Sequence, residues 1–222
     1  LAFALRRSKR TKEAAASRAA EAPAGPPEPP APESLLKLDT LELEVGYGLV
    51  ALVDKQQGGD LLDRISAIRR QLASEMGFIV PPVRIRDNMQ IEANTYRVKV
   101  KGAVVATGRV VPGKLLAMDP GLATERIDGE PTREPAFGLD AWWIEPNLKA
   151  RAETLNYTVV DPTSVLATHL TEIVKSNASE LLTREEVGSL IEKLKEKAPR
   201  LVEEVIPEIV KPGEIQKVLQ NL

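Results

Sequence analysis

The chain has 222 residues, 43% hydrophobic and 28% charged, with a formal net charge of −2 and a pI near 5.7. That length supports one large or two small domains with real cores. The absence of cysteine excludes a disulfide framework and thiolate chemistry, a single histidine leaves a zinc site without its usual ligands, and the near-neutral charge argues against a nucleic-acid binder.

Leu1 to Leu5 (LAFAL) is apolar and is followed by Arg6, Arg7, Lys9, Arg10 and Lys12, with no acid before Glu13. The pattern reads either as the end of a transmembrane helix with its cytoplasmic basic flank or as a short terminal remnant; alone it is too short to span a bilayer. From Lys12 to about Glu33 the composition is Ala, Pro, Glu and Ser, and six of the 17 prolines fall between Pro23 and Pro32. Such a segment builds no core and predicts a semi-extended tether.

Leu41 to Asp54 (LELEVGYGLVALVD) begins with strict alternation and becomes a continuous apolar run, which predicts a strand passing into a sheet covered on both faces. Gly46 and Gly48 interrupt it, as at a bulge or a close backbone approach. Gly58-Gly59-Asp60 predicts a turn and a helix cap. The helix that follows aligns Leu61, Ile65, Ile68, Leu72 and Met76 on one face and stops at Gly77. Val83–Asp87 and Thr95–Lys101 alternate apolar with basic residues and predict strands with one solvated face, Arg84, Arg86, Arg97, Lys99 and Lys101 forming either a plain charged surface or a site for an acidic partner. Ala103–Val111 and Lys114–Met118 predict further strands, and Asp119-Pro120-Gly121 and Asp128-Gly129-Glu130-Pro131 punctuate the chain.

Pro131 to Val174 holds both tryptophans and His169. Gly138–Ile144 predicts a strand, Glu145-Pro146 a short helix, and Asn156–Val160 a second strand. Asp161-Pro162 opens a helix whose buried face carries Val165, Leu166, His169, Leu170, Ile173 and Val174. Phe137 stands in a proline-flanked acidic loop, either a plug into its own domain or an exposed anchor for a partner. Beyond Ser176 the chain is helical: Thr183–Glu186 fits a capping box, Pro199 and Pro207 break short helices, and Glu214–Leu222 is amphipathic.

Motifs for catalysis are absent. The sequence has neither G-x-x-x-x-G-K-[ST] nor G-x-G-x-x-G. His169 lies among apolar neighbours and reads as a core or boundary histidine, and the pairs Glu44 with Asp54 and Glu185 with Glu186 lack the spacing of an acid and base. A binding or assembly role fits better than an enzyme, with no cofactor and no metal. The alternative is a carboxylate-dependent hydrolase.

Six segments in order, LEVGYGLVALVD with GGDLLDRI, MGFIVPPVRIRDNM, PAFGLDAWWIE, TVVDPTSVLATHL and VLQNL, resemble the cytoplasmic portion of the export-gate family of bacterial type III secretion. The resemblance runs from about Leu38 to Leu222, and PAFGLDA with VVDP and ATHL favours the flagellar branch over its virulence-secretion relatives. It implies an α/β (α+β) architecture: a thioredoxin-like first domain over 38–112 plus 162–181, an inserted ferredoxin-like domain over 113–161, and an all-helical third domain from 182 that is incomplete at 222. Residues 1–5 become the end of a transmembrane helix and 6–37 a flexible linker.

The same resemblance implies a function and a site. The family forms a nonameric ring under the gate at the flagellar base of the bacterial inner membrane. It docks export chaperones carrying flagellin, cap and hook-junction proteins, and it works with the export ATPase complex and a companion export-gate protein. Matched residue by residue, the chaperone-binding dimple falls on Glu134, Phe137, Val160, Val165 and Thr168. Phe137 becomes the anchor, Val160 and Val165 the walls, and Glu134 and Thr168 a polar rim. Glu134 stands where the flagellar pattern usually has the shorter aspartate. Gly46 matches a glycine associated with domain mobility. A membrane-tethered scaffold of a virulence system is the alternative.

Overall fold

The computed structural model describes residues 39–77 and 79–221, so the expectations for 1–5 and 6–37 lie outside the described residues. Its centre is strand β1 (Leu41–Val45), which pairs in parallel with β2 (Val83–Asp87) and antiparallel with β3 (Thr95–Val100); β4 (Ala103–Arg109) completes the order β2-β1-β3-β4. Alternation decides the two faces of this sheet. Leu41, Leu43, Val45, Tyr96, Val98 and Val100 are buried in the core.

The opposite face is a ladder of opposite charges. The register sets Glu42 between Arg84 and Lys99, and Glu44 between Arg86 and Arg97. Arg84 and Arg86 reach Asp39 at 3.8 and 3.0 Å, and Lys99 bonds to Glu44. Burial raises the Glu44 carboxyl, but the Lys99 and Asn88 hydrogen bonds and the Lys99 and Arg97 charges outweigh it and hold it below its usual value. Most of the basic residues singled out on these strands are therefore engaged by the sheet's own acids.

The run after Val45 departs from the expectation of a continuing strand. The chain turns at Gly46 into a 3-10 turn (Tyr47–Leu49) and a short helix, α1 (Val50–Val53). The cause is the close approach of Gly46: a Cβ there would lie 2.2 Å from the Glu92 carbonyl oxygen, while the Gly46 N–H donates to Thr95 at 2.8 Å. Gly48 is pressed on the same backbone, where a Cβ would lie 2.9 Å from the Ala93 oxygen. The expected cap also differs. Asp60 precedes α2 (Leu61–Met76), but its carboxylate takes the Arg64 Nε–H at 2.6 Å in place of a backbone N–H. Gly77 ends the helix in the left-handed conformation, at φ 76°.

The second sheet is entirely antiparallel. Strands β5 (Leu115–Met118), β6 (Glu130–Arg133), β7 (Asp140–Ile144) and β8 (Thr158–Val160) lie in the order β6-β7-β5-β8, with helix α3 (Lys149–Thr154) between β7 and β8 in the chain. Strand β6 falls where a turn was expected. Pro131 obscures it, and its place at the sheet edge is where a residue without an N–H is tolerated.

Helix α4 (Pro162–Ser176) joins the two sheets. Asp161 caps it as expected, accepting the Ser164 N–H at 2.9 Å, and the six residues of its apolar face are all buried. It packs on α2, β4 and β5, so one core runs from Leu43 and Tyr96 through Leu166 and Leu170 to Leu116 and Trp143. A smaller cluster of Ile127, Ile144, Ala152 and Tyr157 lies on the other face of the second sheet. Four further helices follow: α5 (Ala178–Leu181), α6 (Arg184–Lys197), α7 (Pro199–Val205) and α8 (Pro212–Leu219). Thr183 and Glu186 form the expected capping box at the start of α6. Among the described residues no helix is long and apolar enough to cross a membrane, and no group of three or more His, Asp or Glu stands ready to hold a metal.

Candidate functional site

Glu134 and Phe137 share the loop that connects β6 to β7. The loop closes on itself through two backbone bonds, Glu134 N–H to Leu139 O at 2.8 Å and Gly138 N–H to Glu134 O at 2.9 Å, with Gly138 at φ 70° making the turn. The Glu134 carboxylate folds inward and accepts the N–H groups of Ala136 at 2.9 Å and Phe137 at 2.6 Å. The Phe137 side chain is left 62% exposed. Of the two readings open to the sequence, plug or exposed anchor, this geometry is the exposed one.

Glu134, expected on a polar rim, is buried in this structure. Only 2% of the residue is exposed, and both carboxylate oxygens are used by its own loop. The longer side chain relative to aspartate reaches two successive N–H groups but leaves the surface to do so. Tyr96 and His169 are likewise buried and pair with each other, the Tyr96 Oη lying 2.8 Å from His169 Nδ1 and the rings edge to face at 5.8 Å. Burial lowers the His169 imidazole below its ordinary value, and the Glu134 charge opposes that shift. Tyr96 is raised, first by burial and then by the same charge.

The remaining expected residues divide between two places. Val165 is buried, and Val160 packs against the cluster that contains it, together with Leu116 and Met118. Thr168 is exposed and lines a different feature, an open groove of about 380 Å³ between α2 and α4 shared with Arg64, Gln71, Ser164 and Thr171; Phe137 is not among its walls. Arg64 bridges Asp60, Asp161 and Ser164 at one end of that groove. Gly46 is a site of close packing on residues 92–93, as described above. The sequence reading placed His169 in the core but did not connect it to Tyr96 or Glu134. Gly108 was the one available signal, since a Cβ there would lie 2.3 Å from the Tyr96 hydroxyl oxygen.

The fold, a two-sheet α/β body linked by one buried helix, is shared with solved structures. The Chlamydia pneumoniae CdsV protein has the same fold, with a TM-score of 0.71 at 22% identity over 88% of this chain and 57% of that one. So does the nonameric EscV cytosolic domain from the type III secretion system, at a TM-score of 0.57 and 14% identity over 83% and 52%. The FHIPEP family model matches residues 1–222, and the chain belongs to that family. The flagellar biosynthesis protein FlhA of Bacillus subtilis (strain 168) is 52% identical over 189 residues, which are 85% of this chain and 28% of that protein. FlhA of Escherichia coli (strain K12) is 45% identical over 184 residues, 83% of this chain and 27% of its own length. The chain thus spans little more than a quarter of these relatives.

Proposed function

We propose that this chain is part of the cytoplasmic docking platform of a flagellar type III export gate, receiving chaperones with their bound export substrates. The observation that carries the reading is Phe137. A phenylalanine held 62% exposed by a loop that is closed from inside is a pre-organised anchor for an apolar pocket on a partner. The high identity to proteins named FlhA favours the flagellar branch over a virulence scaffold.

The partners proposed are export chaperones carrying flagellin, cap or hook-junction proteins, together with the export ATPase complex and the companion gate protein. The whole protein is proposed to sit in the bacterial inner membrane through segments outside the described residues and to assemble as a nonameric ring; the nonameric EscV cytosolic domain, which shares this fold, supports that symmetry. The domain reading, 38–112 plus 162–181, 113–161 and 182–222, is supported by the second sheet, whose strands all fall between Leu115 and Val160. Gly46 is proposed as a hinge only through the packing on residues 92–93 that any movement there must break. A hydrolase gains no support from Glu44 and Asp161. Burial raises both carboxyls, but hydrogen bonds and nearby cations more than offset it and favour the ion over a protonated acid.

Calorimetric titration with a flagellin–chaperone complex, using Phe137→Ala as the control, tests the proposal. Heat of binding from the native chain that is lost in the variant supports docking at the hairpin. Equal affinity of the two removes Phe137 from the site, and no binding by the native chain rejects the described residues as a sufficient platform.

A further inference from the structure

Strand β2 is an edge of the first sheet, and among the described residues β1 is its one neighbouring strand. The Asn88 N–H donates to the Val45 oxygen at 2.9 Å, which fixes the parity of this parallel pair. Arg84, Arg86 and Asn88 turn their backbone groups to β1, so Val83, Ile85 and Asp87 turn theirs to the open edge. Among the described residues no strand, turn or side chain pairs with those groups. The side chains of the same three residues line a groove of about 450 Å³, together with Val50 and Val53 of α1 and Leu62 of α2. None of the residues expected at the chaperone site lines it.

The groove is pre-formed. Helix α1 follows the turn at Gly46 and is held at its far end by Gly59, where a Cβ would lie 2.4 Å from the Leu52 carbonyl oxygen and whose N–H donates to the Asp54 oxygen at 2.9 Å. Val53, Val83 and Ile85 pack on the core yet stay only half-buried, and Leu62 is 38% exposed. The lining is thus aliphatic except at the end of β2, where Asp87 is exposed and makes no ion pair among the described residues. On the other face of the strand, Arg84 and Arg86 share the Asp39 carboxylate at 3.8 and 3.0 Å and leave their side chains 61% and 51% exposed.

We propose that the open edge of β2 is a second docking site, which takes an extended segment of a partner protein as a fifth strand of the sheet. Unpaired backbone groups at alternate residues call for an extended backbone; a helix laid in the groove would fill its volume but leave the N–H and C=O groups of Val83, Ile85 and Asp87 to water. The two faces of β2 then specify the side chains. Directly opposed residues of an antiparallel pair share a face, so the segment places apolar residues against Val83 and Ile85, a basic residue against Asp87, and acidic residues against Arg84 and Arg86. Read from its own N-terminus, the complementary strand is basic, acidic, apolar, acidic, apolar.

The probe is a capped synthetic peptide, Lys-Glu-Val-Glu-Val, titrated into the full chain and followed by nuclear magnetic resonance and amide hydrogen exchange. The expected result is saturable binding with new exchange protection at the Val83, Ile85 and Asp87 amides, while the Arg84 and Arg86 amides, already bonded to β1, stay as they were. N-methylation of the valine opposite Ile85 removes a ladder donor and is expected to weaken binding about tenfold. The same methylation on the glutamate opposite Arg84 points to solvent and is expected to leave binding unchanged. Asp87→Lys weakens binding of this peptide and strengthens binding of one that begins with glutamate in place of lysine. Should Asp87→Lys fail to fold, the two methylated peptides decide the matter. Absence of binding up to the solubility of the peptide, binding without protection of the three amides, or binding indifferent to both methylations overturns the proposal. Protection of the three amides that is already present without peptide and rises with chain concentration also overturns it, by assigning the edge to a second copy of this chain.

Discussion

Glu134 and Phe137 leave one loop in opposite directions, 2% and 62% exposed, and a 2.6 Å hydrogen bond from the Phe137 N–H to the Glu134 carboxylate ties the inward residue to the outward one. The inward side chain is the reason the outward one has a fixed address. Mutations at the two positions therefore separate in kind.

Phe137→Ala is expected to weaken chaperone binding by about 1–3 kcal/mol, roughly 5- to 150-fold in Kd. The side chain is mainly solvated in the free chain, so the melting temperature is expected to stay within about 2 °C of the native value. Calorimetry for affinity and thermal denaturation for stability check the two halves. A large fall in melting temperature would assign Phe137 to its own fold.

Glu134→Ala should behave in the reverse order, lowering stability first. Two part-buried N–H groups lose their acceptor, each at a cost of up to about 1 kcal/mol where water replaces it and more where it does not. Urea denaturation is expected to show a lowered midpoint with an unchanged slope, and amide exchange at Ala136 and Phe137 to accelerate.

Gly46→Ala is expected to destabilise the chain by about 1–3 kcal/mol. The added carbon would sit 2.2 Å from the Glu92 oxygen, a backbone atom that cannot swing aside. Equal denaturation midpoints for variant and native chain would show that residues 92–93 yield freely.

The pH dependence of stability should carry a histidine component. Burial depresses His169 in the folded chain below its ordinary value of 6.5, so between the two values the unfolded chain binds more protons. The His169 contribution is fully present above that unfolded value and is lost as pH falls through the folded one. Urea midpoints measured from about pH 7.5 to about pH 5 should fall more steeply for the native chain than for His169→Gln. Parallel curves would mean that His169 titrates alike in both states.

What could be read from the sequence was what local chemistry decides. The Asp161-Pro162 cap, the Thr183 capping box, the apolar face of α4 and the stop at Gly77 each depend on a few adjacent residues. Strand β6 escaped because Pro131 ordinarily marks a turn, and only its edge position in the sheet makes it acceptable. The run GLVALVD was read as strand because apolar β-branched residues suit either state; the contact of Gly46 with residues 92–93, more than forty positions away, turns it out of the sheet. At the site, the sequence supplied Phe137 but not its direction. The inward turn of Glu134 depends on the left-handed Gly138 and on the space beneath the loop, neither of which is encoded in neighbouring residue types.

Trp142 and Trp143 are consecutive on β7 and so face opposite sides of the second sheet. Trp143 is buried in the core that α4 builds, while Trp142 stands edge-on to Tyr157 at 5.7 Å in the smaller cluster. The strand thus carries two intrinsic fluorophores, one on each side of the same backbone. Replacing either with phenylalanine leaves a one-colour reporter, and the pair of variants would tell whether a docking partner loosens the rear cluster while the central core stays closed.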